Sequence, residues 1–428
     1  MRNDNLLPFC RVKHRRVADF VLMVLYLFHG GCPMKSYGGV QALTADASYH
    51  HRYNRLSPSS SSSPCSLLIV GLGRVGLEVA QLALLAELPT SKKDGSSSDS
   101  IPAFSSIWGT VREISSDSPA FEDGIQRVSF QHLAVMERHE ADNCFRQATH
   151  ILITLPAASL QDSDELVHQT VAITDTLKNY LISKSSCCWI GVISTTGVYG
   201  NHDGAWVTED SECRSDDKLW LLWEDYWKEI AVSEHRKAPV AVRLFRCAGI
   251  YGGSKSALHT VYRNGLHLSP VTTRNNDVDS VTNRIHVFDL ARAVVSSMLM
   301  EATHNRTVSE RELDYPLRVR TYNLADNLPA SRQHVLQYAC NLLRGVSAPN
   351  QTTLPLGVAS LSTVTQTRDE TAASNRASRR RTDQKRVSNQ RLREELLPQL
   401  MYPTYKEGLQ AILNDRRNPW WKVSINDD

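Results

Sequence analysis

Three glycines, Gly71-x-Gly73-x-x-Gly76, have the residue type and spacing to cradle a phosphate. A glycine at the first position permits a tight turn. At the second it lets the backbone approach a pyrophosphate, and at the third it lets a following helix pack closely on the preceding strand. The helix N-terminus then aims its N–H groups at the anion. Leu72, Arg74 and Val75 fill the rest of the turn. A glycine turn that holds no ligand is the competing reading.

That chemistry needs a strand before the turn and a helix after it. The apolar run Ser66-Leu-Leu-Ile-Val70 suits a buried parallel strand. The segment Leu77 to Leu85 is rich in Ala and Leu and suits a helix. Residues 88 to 106 hold Ser, Lys, Asp and Pro and read as a loop insertion. Ile107 to Arg112 reads as the second strand. An acidic residue at its tip would bind a ribose 2′-hydroxyl, whereas an arginine suits a 2′-phosphate. Arg112 stands there, which favours NADP over NAD. A solvated surface charge is the alternative.

Gln126 to Phe130 reads as a third strand, and Phe145 to Thr149 closes a helical segment. His150 to Leu155, ending at Pro156, is another strand. Its carboxyl end, at Leu155, is expected beside the cofactor, because open parallel sheets bind ligands at that edge. A helix over 164 to 181 follows. Next come the strand from Cys188 into Ser194-Thr195-Thr196-Gly197-Val-Tyr199-Gly200, a tryptophan-rich helix over 216 to 236, and the strand Val240 to Arg246. This alternation predicts an α/β fold, a Rossmann doubly wound parallel sheet.

The 428 residues suffice for a sizeable core, and a net charge of +3 gives no global attraction to nucleic acid. Nine scattered cysteines without a C-x-x-C pair argue against a zinc site or a disulfide framework. Cys187-Cys188 reads as core packing. Residues 1 to 16 carry five basic side chains, and an apolar run from Val17 to Phe28 follows. That run is shorter than the roughly 20 residues a membrane span needs and resembles a signal peptide. Residues 30 to 65 have one acid, Asp46, and a serine run, as transit peptides do. Residues 1–65 thus read as a bipartite presequence addressing a plastid, with plain secretion as the alternative. No membrane segment is expected in the mature form. The sequons at Asn305 and Asn350 do not decide the address.

The motifs G-L-G-R-V-G, S-T-T-G-V-Y-G, R-C-A-G-I-Y-G and Asn283-Arg284-Ile285-His286-Val287-Phe288-Asp289 resemble those of an extended short-chain dehydrogenase/reductase. This is the NAD(P)-dependent epimerase/dehydratase superfamily. The likeness covers 66 to 345 and 385 to 413 and is strongest to the atypical branch, whose members vary the catalytic residues. It implies a Rossmann domain at 66–300 and a small C-terminal substrate-binding portion at 301–347 and 385–428, with 348–384 inserted. It also implies that Thr195 meets the substrate oxygen, that Gly249 and Ile250 lie beside the nicotinamide, and that Arg284 and His286 reach the substrate. Asp289 should cap the next helix. The partners implied are a small-molecule substrate and, through two sheet-flanking helices, a second copy of the chain.

The family's usual engine is Tyr-x-x-x-Lys, in which the lysine lowers the tyrosine's pKa for proton exchange. Ile230, not lysine, stands four residues after Tyr226. Tyr180 and Lys184 have the spacing but precede the S-T-T strand, so topology excludes them. Tyr226 remains the local candidate acid, with helix packing as its other reading; Lys218 could approach the ribose or stay solvated. Two functions follow. One is an oxidoreductase or epimerase-like enzyme for a small hydroxyl or carbonyl compound, a nucleotide sugar among them. The other is an NAD(P)-binding sensor or assembly factor with altered catalysis. The arginine run at 376–381 reads as a solvated loop rather than a nucleic-acid site.

Overall fold

The computed structural model describes residues 65–89, 100–111, 121–122, 124–129, 147–155, 177–178, 181, 187–216, 218–233, 240–253, 255–263, 281–304, 318–346 and 384–415. Residues 1–64 of the predicted presequence, the 348–383 insertion with its arginine run, Arg112 and most of the predicted 164–181 helix lie outside them, whereas Cys65 opens the first strand.

Eight strands form one sheet. In chain order they are β1 (Cys65–Val70), β2 (Phe104–Val111), β3 (Phe121–Glu122), β4 (Ile125–Ser129), β5 (His150–Ile153), β6 (Trp189–Thr195), β7 (Ala241–Cys247) and β8 (Val319–Leu324). Across the sheet they run β8-β7-β6-β5-β1-β2-β4-β3. All neighbours are parallel except the antiparallel β3–β4 edge pair. The chain moves outward from β1 to β4, then restarts on β1's other side at β5. This is the doubly wound Rossmann order, and the reversal between β1 and β5 opens a crevice at their carboxyl ends.

The inner strands are apolar on both faces because helices cover both. On one face, α1 (Arg74–Leu84) and α4 (Val287–His304) bury Val79, Ala83, Leu290 and Val294 against Leu67, Ile69 and Phe245. On the other, α2 (Leu219–Ala231) buries Trp223, Trp227 and Ile230 against Leu68, Ile151 and Val192. A smaller core joins α3 (Ala257–Arg263), α5 (Arg332–Val346) and α7 (Tyr405–Asn414) around Tyr251, Leu258 and Leu409. A short helix, α6 (Gln390–Glu395), packs Leu392 into the first of these cores.

Several expectations are corrected. The predicted loop at 88–106 contains an antiparallel pair, Glu87–Pro89 with Ser100–Pro102, and β2 starts at Phe104 rather than 107. Pro89 and Pro102 sit at strand ends, where a lost ladder donor matters least. Asp289 does not cap α4. Its fully buried carboxylate accepts from the backbone N–H groups of Met401 (2.8 Å) and Tyr402 (2.8 Å) and from Arg292 (2.9 Å), clamping the segment that enters α7. The ring of His286 accepts the Phe288 N–H instead (3.2 Å). Cys187 is buried and Cys188 half-buried. Among the described residues no helix is long and apolar enough to cross a membrane.

Candidate functional site

The glycine turn sits at the crevice. Gly71 has φ +102°, a conformation that side chains disfavour, and a Cβ there would stand 2.6 Å from Thr154 Oγ1. A Cβ on Gly76 would stand 2.3 Å from the Gly71 carbonyl oxygen. The turn is therefore closed so tightly that only glycine fits at either end. Thr110 fixes its entry, accepting the Gly71 N–H on Oγ1 (2.7 Å) and the Leu72 N–H on its carbonyl (2.8 Å). Thr154 Oγ1 donates to the Gly71 carbonyl. Gly73 is the N-cap of α1 and Leu77 N–H closes the first helical bond onto it (2.8 Å). The first four N–H groups of a helix have no acceptor within it. Here they form a row of donors at the helix's positive end, which fits a pyrophosphate.

Arg74 does not hang free in this turn. Its guanidinium donates to the carbonyls of Ile250 (3.2 Å) and Gly252 (3.1 Å), fastening the turn to the strand Gly249–Tyr251. Burial pulls its pKa down, and the charge of Glu78 acts against that. Leu155 is buried against the turn, its backbone N 3.6 Å from where a Gly71 Cβ would be. The strand Gly249–Tyr251 pairs in parallel with Arg284–His286. So Gly71 to Gly76, Leu155, Gly249, Ile250, Arg284 and His286 are brought onto one connected rim.

Arg284 spends its guanidinium on the Thr282 and Ala330 carbonyls (both 2.9 Å) and on Thr282 Oγ1 (2.6 Å). His286 is wedged between Tyr251 and Tyr402, with ring centroids at 5.1 and 4.1 Å. Burial, then the charge of Arg74, lower its pKa to about 4, so the ring is neutral near pH 7. Thr195 ends β6 in register with Cys247 of β7. Its Oγ1 accepts the Gly197 N–H (3.1 Å), capping a single 3₁₀ turn, Thr196–Tyr199.

Tyr226 is placed elsewhere. Its ring stacks on Trp223 (centroids 6.2 Å apart, 6° between planes), meets Trp227 edge-on, and carries the Lys178 ammonium 4.1 Å from its centroid. It lies in the apolar core beneath α2.

What α2 brings to the strand ends is Glu224, a residue that motif matching passed over. Glu224 is wholly buried. Its Oε1 accepts from Ser194 Oγ (2.7 Å) and Arg246 Nε (3.0 Å), and its Oε2 from Arg246 Nη2 (2.8 Å). Arg246 Nη1 donates to the Tyr199 hydroxyl (3.0 Å), which donates to Asn323 Oδ1 (2.7 Å). The Asn323 N–H donates to Glu209 (2.8 Å). Burial alone would depress Arg246, but the hydrogen bonds and charge of Glu224 outweigh it and hold the guanidinium charged. Burial also pushes the Tyr199 phenol up to about 12. The signal for this network was an arginine ending an apolar strand and a glutamate among tryptophans.

Asp326 follows β8. It is 2% exposed; one oxygen accepts the Leu328 N–H (3.1 Å) and the other has no hydrogen-bond partner among the described residues. Burial raises its carboxyl to about 7; Arg284 acts against this, while Glu407 and Asp289 add to it. The folded chain thus binds this proton more tightly than the unfolded one. Its contribution to stability is whole below about pH 3.8 and falls away as pH rises through about 7. Asp326→Asn is expected to be more stable than the native chain at pH 8 by ~2 kcal/mol, with the gap closing at pH 4. Urea midpoints at both pH values measure it; a gap independent of pH contradicts the assignment.

No family model matches the chain, and no curated protein matches it. Solved structures do. A UDP-glucuronic acid 4-epimerase from Bacillus cereus in complex with NAD is 14% identical with a TM-score of 0.52, covering 84% of this chain and 98% of its own. A dTDP-glucose 4,6-dehydratase from Bacillus anthracis in complex with NAD is 14% identical with a TM-score of 0.50, covering 84% and 100%. A protein from Methylobacillus flagellatus, by name an NAD-dependent epimerase/dehydratase, is 20% identical with a TM-score of 0.50, covering 83% and 100%. The chain has the fold of the NAD-dependent epimerases and dehydratases, the extended short-chain dehydrogenase/reductase fold.

Proposed function

We propose that this chain binds NAD(P) at the glycine turn and acts as an oxidoreductase or epimerase-like enzyme on a small hydroxyl or carbonyl compound. The observation that carries the reading is the turn itself: two glycines that admit no Cβ, locked by Thr110 and Thr154 at the reversal point of the sheet. The nicotinamide, when bound, supplies a hydride acceptor or donor. The chain's own residues orient it. Helix α1 presents N–H donors to the phosphates, and Arg74 keeps the turn against Ile250. Thr195 offers a hydroxyl at the end of β6, on the edge where a substrate oxygen would lie.

A second reading has a specific observation behind it. The helix that would carry a tyrosine and lysine carries Glu224 instead, committed to Arg246, and Tyr226 is packed among tryptophans. A cofactor-binding sensor or assembly factor fits those facts. The two separate on NADPH or NADH consumption against nucleotide sugars and carbonyl compounds. Turnover supports the enzyme, whereas binding without turnover on any of them supports the sensor. If calorimetry detects neither dinucleotide, both readings fail.

NADP is the preferred cofactor within this proposal, from Arg112 at the end of the second strand. Arg112→Ala is expected to weaken NADPH by about 10-fold or more while leaving NADH within about 2-fold, the size of a charge-assisted phosphate contact. Equal effects on both would remove the preference.

A further inference from the structure

A line of contacts runs from the C-terminal segment to the glycine turn. It starts at Asp289, whose buried carboxylate holds the Met401 and Tyr402 N–H groups (both 2.8 Å). Met401 is 52% exposed, whereas the Tyr402 ring packs inward, 4.1 Å from the His286 ring and edge-on to Phe288 at 6.2 Å. Burial, then the charges of Asp289 and of Glu78 on α1, raise the Tyr402 phenol, so the ring is within reach of the helix that follows the turn. His286 in turn is seated on Gly252. A Cβ there would stand 2.9 Å from His286 Nε2 and 2.8 Å from Val287 Cγ1. The Gly252 carbonyl accepts from Arg74, the first residue of α1.

Groups packed this closely pass a displacement on rather than absorb it. With Tyr402 in place, the imidazole is held between two tyrosine rings and the Gly252 backbone. Without it, one side of the imidazole opens, and the carbonyl beneath loses its seat. A row of helix donors binds an anion best when it is ordered before the anion arrives, because less freedom is then lost on binding. We propose that Tyr402 is a positioning residue for the glycine turn. By seating His286 on Gly252 it fixes the carbonyl to which Arg74 anchors the first turn of α1.

The coupling runs both ways. A dinucleotide that favours the ordered turn also tightens the C-terminal segment, by the same factor. The inference deepens the dinucleotide reading by naming what controls that site, and rests on it only for the identity of the ligand.

Titration calorimetry of the full chain with NADH tests it. Tyr402→Ala is expected to weaken NADH about 5- to 10-fold, the size of one close aromatic contact, and Tyr402→Phe to restore it to within about 2-fold. Tyr402 is half-buried, so its truncation should leave the chain folded. Arg74→Met should weaken NADH about 10-fold. The double variant Tyr402→Ala with Arg74→Met should bind no more weakly than Arg74→Met, since both changes act through one anchor. Ile230→Ala, in the core beneath α2, should lower stability and leave NADH affinity within about 2-fold. Native affinity in Tyr402→Ala, additive losses in the double variant, or an equal loss in Ile230→Ala overturns the proposal. Hydrogen exchange without NADH tests the link apart from the ligand. Exchange across residues 71–77 is expected to quicken in Tyr402→Ala, with no change across 125–129. Unchanged exchange across 71–77 overturns the link whatever the affinities. If the native chain binds no NADH, the dinucleotide reading fails, and exchange alone decides whether Tyr402 orders the turn.

Discussion

Gly76→Ala is expected to weaken dinucleotide binding by about 100-fold or more, equivalent to ~2.7 kcal/mol. A methyl at this position would sit 2.3 Å from the Gly71 carbonyl oxygen and 3.0 Å from Ile69 Cγ2. Neither neighbour is the far end of a flexible side chain. The helix must therefore withdraw from the turn, and its N–H row withdraws with it. The rest of α1 still has Val79, Ala80 and Ala83 buried in the core, so most of the fold should survive. Calorimetric titration with NADH and NADPH measures the binding loss, and a melting curve separates it from unfolding. Native affinity in Gly76→Ala would remove the turn from the site.

Glu224→Ala should be the most destabilising single change outside the apolar core, by about 3–5 kcal/mol, because it strips a buried guanidinium of its carboxylate. Three hydrogen bonds vanish at once, two from Arg246 and one from Ser194. Tyr199 and Asn323 cannot replace the lost charge, being neutral. The double variant Glu224→Leu with Arg246→Met should regain much of the loss, since removing both partners leaves no orphaned charge. Chemical denaturation of the three proteins decides it. A loss under about 1 kcal/mol in Glu224→Ala would mean that the pair is solvated like a surface ion pair. The same variants also bear on function. If Glu224 serves only stability, the double variant should keep whatever dinucleotide affinity the native chain has.

The sheet was legible in the sequence because its inner strands, Leu67 to Val70 and His150 to Leu155 among them, are short continuous apolar runs. The turn was legible because backbone geometry there demands glycine, a constraint that leaves its mark in residue type. The network of Glu224, Arg246, Tyr199 and Asn323 was not. Its members lie up to 124 positions apart and none has a spacing that signals the others. Tyr226 was singled out by analogy with a motif, whereas the stack with Trp223 follows from helical spacing that three-residue periodicity already allowed. The cap at Asp289 failed for a related reason. A carboxylate near a helix start is a local signal, but the N–H groups it accepts belong to Met401 and Tyr402, over a hundred residues on.

One feature of the fold bears on how the chain is made. Lys385 Nζ donates to the Gly200 carbonyl (3.0 Å), Gln384 accepts from His202 and Gly204, and Asn283 holds both Lys385 and Val387. The loop after β6 is thus completed by a strand that emerges 185 residues later. At roughly 5–20 residues per second, translation leaves that loop waiting about 9–37 s for its partner. In that interval β1, β5 and β6 can already pair, while the strand ends beyond Thr195 remain without their covering segment. The glycine turn and its flanking strands are therefore complete in the chain well before the segment that covers the end of β6 has been made.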